Sequence, residues 1–358
     1  MEVAVRGAPG TRGTVDRGPR PGVIPAALAR PYPSAPGPFP RRRAMKDRPA
    51  TLVLSGGGAK GAFQVGAERV LREVHGFRWE RIFGVSVGAL NAALLAQHSY
   101  RALNDIWLNI READLYRKLP WPLIALRVGL FRKLGLYDNT PMRELIQRHL
   151  AGHRFRVPAH VGRVSLVSGN YELVPSDSRD FLDAVWQSST LPILWEPVGA
   201  TALVDGGLRN ATPLGDALEF GPTEIVVIVC SPSQVERAKP PANLLEVATR
   251  SLADITLNEI LLNDVDAFVR INDIVRQAYD AGLTVRRPDG VPYRYCRITV
   301  IEPARPMGDM LDFAPEVIRM RLRHGEEMAR AVSLPTGVGP GERVQRRVEL
   351  FPEPPMHA

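Results

Sequence analysis

The chain has 358 residues, 45% hydrophobic and 23% charged, with 46 Lys and Arg against 38 Asp and Glu for a formal charge of +8. That length is ample for one large domain or two small ones with a buried core, and no apolar run approaches the roughly 18–20 residues of a membrane-spanning helix. Two cysteines, Cys230 and Cys296, give neither a disulfide framework nor metal-ligand spacing, so a reducing cytosol is the expected compartment, with no metal or cofactor implied.

The first fifty residues hold ten basic and three acidic residues, ten prolines and six glycines, while the rest of the chain is nearly balanced. Residues 1–49 are therefore expected to be a disordered basic arm, too poor in periodic apolar positions to offset the entropy of ordering. The stretch 23–29 is short and contains Pro25, a poor secretory core, and Met45 stands as an alternative start to the chain. Such an arm is drawn to anionic lipid surfaces, at up to about 1 kcal/mol per basic residue close to the membrane. Without interleaved aromatics or a recognisable module, no specific nucleic-acid partner is expected; a solvated tail with no partner is the plainer alternative. Nothing in the sequence indicates an oligomeric state.

Residues 51–54 form a short β-branched and apolar run that stops at Ser55-Gly56-Gly57-Gly58-Ala59-Lys60-Gly61. Phe63, Val65, Ala67, Val70, Leu71 and Val74 then follow at helical spacing, which predicts strand, glycine loop, helix. Gly56, Gly58 and Gly61 satisfy G-x-G-x-x-G, in which a phosphate approaches a helix N-terminus. A dinucleotide site would also want an acidic residue after a second strand, and Glu80 comes before Ile82-Phe83. A tight turn with no ligand stays open on this loop alone.

Arg81-Ile82-Phe83 leads into Gly84-Val85-Ser86-Val87-Gly88 and an apolar helix over 89–96. G-x-S-x-G between a strand and a helix is the pattern of a nucleophile elbow, which projects a serine hydroxyl above a sheet. A serine that merely caps the helix is the plainer reading, and the flanking elements weigh against it. Residues 121–134 interleave large apolar side chains with Arg127, Arg132 and Lys133, as expected either of an interfacial lid or membrane-touching helix or of a core helix with solvated charges. Residues 164–167 and 224–229, and more weakly 297–301, read as buried strands, so the alternation of runs predicts an α/β layer fold around a mostly parallel sheet.

Leu203-Val204-Asp205-Gly206-Gly207 reads as a strand ending in an Asp-Gly turn, which leaves a carboxylate room to reach a nucleophile. Residues 244–268 carry helical patterns expected to pack on the sheet. In the charged helical segment 319–327, His324 is expected to be solvated. Asp254, Glu259, Asp264, Asp266 and Asp273 have no convincing ligand spacing and read as helix-surface charges, and 335–358 as a flexible tail.

Taken together the three motifs resemble the patatin-like phospholipase family. Ser55 to Gly61 matches its glycine-rich oxyanion motif, Gly84 to Gly88 its elbow and Asp205-Gly206-Gly207 its Asp-Gly-Gly motif. Gln187-Ser188-Ser189-Thr190-Leu191-Pro192 and Asn210-Ala211-Thr212-Pro213-Leu214 agree as well, so the similarity covers about residues 51–230. The resemblance implies a three-layer fold with the sheet between helices, and a catalytic domain over 50–334 whose helical C-terminal part is about 235–334. It implies a lipid acyl hydrolase in which Ser86 attacks an ester carbonyl and Asp205 takes its proton without a histidine, with backbone N–H groups of Gly57 and Gly58 stabilising the oxyanion. A Ser86-Asp205-His324 triad and a low-turnover interaction scaffold on the same fold are the alternatives. An aspartate near its reference pKa of about 3.9 is a poor base, so the site is expected to be desolvated and Asp205 to have few donors.

Overall fold

The computed structural model of the chain describes residues 47–118, 120, 122–124, 130, 133–232, 240–241, 247, 250–287 and 290–332. The expectations for the arm and the tail, and for most of 121–134, fall outside them. The described residues belong to one compact unit.

Its central sheet has the order β5-β4-β2-β1-β8-β9, with β7 also on β4. Strands β1 (Arg48–Leu54), β2 (Phe77–Gly84), β4 (Ala159–Ser165), β8 (Glu224–Ile228) and β9 (Arg297–Ile301) run parallel to one another. β5 (Tyr171–Pro175) and β7 (Leu203–Asp205) are antiparallel to β4. A small second sheet pairs β3 (Gly135–Tyr137) with β6 (Ile193–Trp195). The central strands are continuous apolar runs, Leu52-Val53-Leu54 and Ile225-Val226-Val227-Ile228, because both of their faces are covered.

On one face Leu52, Leu54, Ile82 and Val226 pack under α1 (Gly61–Glu73), α2 (Val87–Ala96), α3 (Tyr100–Asn109), α4 (Thr140–Leu150) and α5 (Phe181–Ser188). On the other, Val53, Phe83, Ile225 and Val227 meet Leu214 and Ala217 of α6 (Leu214–Glu219) and Val265 and Phe268 of α7 (Leu257–Asp280). The α/β class with three layers around a mostly parallel sheet is thus observed. The last helix, α8 (Pro315–Ala331), crosses α1 at glycines. A Cβ on Gly66 would lie 1.9 Å from the Leu322 carbonyl oxygen, and one on Gly325 would lie 2.0 Å from that of Phe63. Among the described residues no helix is long and apolar enough to cross a membrane.

Four local expectations change. The strand expected over 164–167 is the end of β4, and Leu166 and Val167 are exposed because the chain leaves the sheet into a turn after Ser165. Helix α7 runs to Asp280, well past residue 268, carried by i,i+4 and i,i+3 charge pairs such as Asp266–Arg270 and Asp273–Arg276. Asp264 is half-buried, and burial first, then the neighbouring Asp216 carboxylate, push its pKa up to about 6. His324 is not solvated: it is 4% exposed, on the face of α8 that packs against Phe63.

Candidate active site

Strand pairing places the two candidate catalytic side chains at facing chain ends. β2 pairs with β4 at Ala159, His160 and Val161, and β7 pairs with β4 at Arg163, Val164 and Ser165. Val164 pairs with both Tyr171 of β5 and Val204 of β7. β5 therefore takes one edge of β4, and β7 lies on the edge shared with β2. Since β2 is parallel to β4 and β7 antiparallel, their C-terminal ends point at each other. Gly84 and Asp205 stand opposite positions two residues apart on β4, about 7 Å at the rise of a strand, and Ser86 follows Gly84 into that gap. Gly206 makes the approach sterically feasible, because a Cβ there would lie 2.3 Å from the Gly162 carbonyl oxygen.

The elbow is held by its serine and by close contacts at its glycines. Ser86 has φ 58° and ψ −129°, a conformation that costs an L-residue on the order of 1–3 kcal/mol unless its surroundings enforce it. Gly84 and Gly88 do not have positive φ; their service is space. A Cβ on Gly84 would sit 2.2 Å from the Gly88 carbonyl oxygen, and one on Gly88 would sit 2.4 Å from that of Leu54. The Ser86 N–H donates to Ser188 Oγ at 3.0 Å, and its carbonyl accepts from Ser189 Oγ at 3.1 Å. One residue further on, the Thr190 carbonyl accepts the Asp205 N–H at 2.9 Å. Three consecutive residues at the end of α5, Ser188, Ser189 and Thr190, thus hold the backbones of both Ser86 and Asp205.

Asp205 is 2% exposed. Its Oδ1 accepts the Gly207 N–H at 2.8 Å. Burial raises its pKa to about 7, against the pull of hydrogen bonding from the Ser86 side chain and from Gly207. Near neutral pH the carboxylate and the acid are therefore both populated, the condition under which a general base is effective.

The glycine loop presents main-chain donors beside Ser86. Gly57 has φ 149° and Gly58 φ 56°, conformations that L side chains rarely adopt, and a Cβ on Gly58 would lie 2.4 Å from the Met310 carbonyl oxygen. The Gly56 N–H is engaged by the Ala211 carbonyl at 3.2 Å, and the Ala59 N–H by that of Met310 at 2.7 Å. Among the described residues no acceptor is bonded to the N–H of Gly57 or Gly58. Gly56 itself abuts Ser86, 3.2 Å from a Cβ added to it. Gly61 opens α1 and lets Val87 and Trp107 close on it, and its carbonyl accepts from Asn91, part of a buried Gln64–Asn91–Trp107 network.

Ser86 and Gly58 open onto a cavity whose wall is almost wholly apolar. Leu90 and Leu94 of α2, Ile106 and Trp107 of α3, and Met142 and Ile146 of α4 line its depth. Met310, Leu311 and Phe313 close it from the loop before α8. None of these was singled out by sequence, because their apolar spacing is that of any core-facing helix. Of the expected interfacial stretch 121–134, Leu126 and Phe131 lie outside the described residues; Leu123, Leu130 and Leu134 are exposed and Ile124 is buried.

His324 does not join Ser86 and Asp205. Its Nε2 accepts the Ala304 N–H at 3.1 Å, its Nδ1 faces Glu327 at 3.4 Å, and it does not line the cavity. His149, passed over in the sequence, does line the cavity, at the end of α4, with its pKa lowered by burial and then by Arg148.

Residues 52–218 match the patatin-like phospholipase family. The uncharacterized protein YqhO of Bacillus subtilis is 28% identical over 216 residues, covering 52% of this chain and 73% of that protein. Among solved structures, VipD from Legionella pneumophila aligns at 14% identity and a TM-score of 0.41, over 78% of this chain and 66% of that one. The type III effector ExoU aligns at 16% identity and a TM-score of 0.34, over 78% of this chain and 52% of that one. The chain thus spans about two thirds of the first solved structure and about half of the second.

Proposed function

We propose, from the match of residues 52–218 to the patatin-like phospholipase family, that the chain is a serine acyl hydrolase working through Ser86 and Asp205. The observation that carries the reading is a strained serine, open to an apolar cavity, beside a buried carboxylate that it and the Gly207 N–H hydrogen-bond. Apolar walls exclude water and suit a fatty acyl chain, so the substrates are phospholipids, lysophospholipids or neutral acyl esters.

In the first half-reaction the Ser86 Oγ forms a bond to the ester carbonyl carbon while its proton passes to the Asp205 carboxylate. The carbonyl electron pair moves to the oxygen, where the Gly57 and Gly58 N–H groups hold it. Loss of one such donor costs about 2.7–4 kcal/mol of transition-state stabilisation. Collapse of the intermediate breaks the bond to the leaving oxygen, which takes the proton back from Asp205 and departs as the alcohol or lysolipid. Water then attacks the acyl-enzyme by the same steps in reverse order, with Asp205 again the base; an alcohol in place of water gives transacylation. A desolvated aspartate can serve without a histidine because burial has moved its pKa into the working range.

Covalent labelling by a long-chain fluorophosphonate tests the reading. Wild-type protein is expected to label at Ser86, and Ser86→Ala not at all. Asp205→Asn is expected to label and turn over slower by about 10³-fold or more, as removal of a partner acting in concert with the nucleophile does. A folded wild-type chain that stays unlabelled with and without lipid would point to the interaction scaffold instead.

A further inference from the structure

Between β9 and α8 the chain forms a loop, Met307-Gly308-Asp309-Met310-Leu311-Asp312-Phe313, that lies outside the stretch matching the family. It is rich in backbone groups that no regular element satisfies. Two are met within the loop: Asp309 Oδ1 accepts the Leu311 N–H at 2.9 Å, and Asp312 Oδ1 accepts the Ala314 N–H at 3.0 Å. Both carboxylates are thereby turned to their own backbone.

The loop's carbonyls are gathered by a single side chain. Arg321, in the middle of α8, is 0% exposed. Its Nε and Nη2 donate to the Met307 carbonyl at 3.0 and 2.7 Å, Nη2 also to that of Asp309 at 2.7 Å, and Nη1 to that of Asp312 at 2.8 Å. Among the described residues no carboxylate is ion-paired with it. Its hydrogen bonds all go to carbonyls, and burial lowers its pKa against the favourable field of the Asp312 and Asp309 carboxylates, so the buried charge is costly to keep. A planar fork of five donors reaches three separated carbonyls as an ammonium on a flexible stem does not. The loop so gathered sets the Met310 carbonyl on the Ala59 N–H at 2.7 Å and against Gly58. It also turns Met310, Leu311 and Phe313 into the cavity.

We infer that Arg321 is a positioning residue: by holding loop 307–312 through its carbonyls, it fixes the glycine loop with the Gly57 and Gly58 N–H groups facing the oxyanion and closes the acyl cavity. The C-terminal segment, which carries no motif, thereby completes the site. This inference rests on the hydrolase reading, and the loop coupling itself can be measured without turnover.

The full chain is compared with Arg321→Lys, with Asp309→Ala, which removes an exposed cap of the same loop and leaves the core intact, and with Glu326→Gln, which breaks the Arg69–Glu326 bridge between α1 and α8 away from the loop. Hydrogen exchange is read in peptides covering 55–63 and 305–314, and kcat and KM on butyrate and palmitate p-nitrophenyl esters. Arg321→Lys is expected to speed exchange in both peptides and lower kcat on the butyrate ester about tenfold to a hundredfold with little change in KM, a partial loss of oxyanion stabilisation. KM for the palmitate ester is expected to rise as well. Asp309→Ala should move the same readouts less, and Glu326→Gln should leave them at wild type. If either loop variant loosens 305–314 while exchange at 55–63 and kcat on the butyrate ester stay unchanged, the coupling is overturned. Arg321→Lys exchanging as wild type in both peptides overturns it too. A wild-type chain that does not label overturns the hydrolase reading, and the exchange data separate that failure from failure of the coupling.

Discussion

The stretch from β1 to β8 and the stretch from β9 through α8 contribute to one cavity in opposite ways. The first supplies groups fixed by local backbone demands: a serine at φ 58° and glycines where a Cβ would collide with main chain. The second supplies groups fixed only by tertiary contact: the carbonyls gathered by Arg321 and the Met310 carbonyl over Gly58. A local demand leaves a mark in sequence because few residue types meet it. A long-range contact between a carbonyl and a side chain leaves none, since every residue has the carbonyl.

The largest effect expected of a single methyl group falls where the two stretches touch. Gly58→Ala puts a side chain at φ 56° and 2.4 Å from the Met310 carbonyl oxygen. The loop must turn or Met310 must retreat, and either displaces a proposed oxyanion donor. A loss of about 10²–10³ in kcat is expected, with KM for a short ester nearly unchanged. Gly56→Ala, whose nearest neighbour is the Ser86 Cβ at 3.2 Å, should cost less. Equal losses at the two positions would break the claim that the C-terminal loop supports the glycine loop.

Next comes the crossing of α1 and α8. Inside a helix Ala is favoured over Gly by about 1 kcal/mol, but Gly325→Ala would bring a Cβ within 2.0 Å of the Phe63 carbonyl oxygen, which belongs to a helix backbone and cannot swing aside. Overpacking of this kind costs about 1–3 kcal/mol, so the sign is destabilising. Gly215→Ala in α6 meets nothing within 4 Å and should be neutral or stabilising by the propensity difference. Thermal unfolding of the two variants checks the pair. An unchanged Tm for Gly325→Ala would mean that α8 is not pressed onto α1 as described.

The same contrast explains what could be read in the sequence. The α/β class, the strands at 51–54 and 224–229 and the order of the motifs follow from local pattern, and the structure adds β7 facing β2 along one edge of β4. The segment of Ser188, Ser189 and Thr190 is legible in sequence as part of the family resemblance, but its hold on both Ser86 and Asp205 is a matter of tertiary hydrogen bonds. His324 was misread because a helical stretch dense in Arg and Glu reads as solvated. Only the packing of α8 on α1 shows that Arg321 and His324 face inward.

The finest test concerns Asp205, where activity and stability should move in opposite directions with pH. Its pKa is about 7 in the folded chain, raised chiefly by burial from an ordinary carboxylate value of 3.8. The folded state therefore holds this proton more tightly than the unfolded chain does. The resulting stability is fully present below pH 3.8 and is lost as pH rises through about 7, at up to about 1.4 kcal/mol per pH unit. Attack by Ser86 needs the carboxylate, so kcat/KM should fall about tenfold per unit as pH drops below about 7. Asp205→Asn removes the charge and keeps an acceptor for the Gly207 N–H. It should therefore be inactive, yet raise Tm relative to wild type at pH 8, with the difference shrinking toward pH 4. A kcat/KM limb near pH 4, or a Tm difference independent of pH, would mean that water reaches Asp205 in solution.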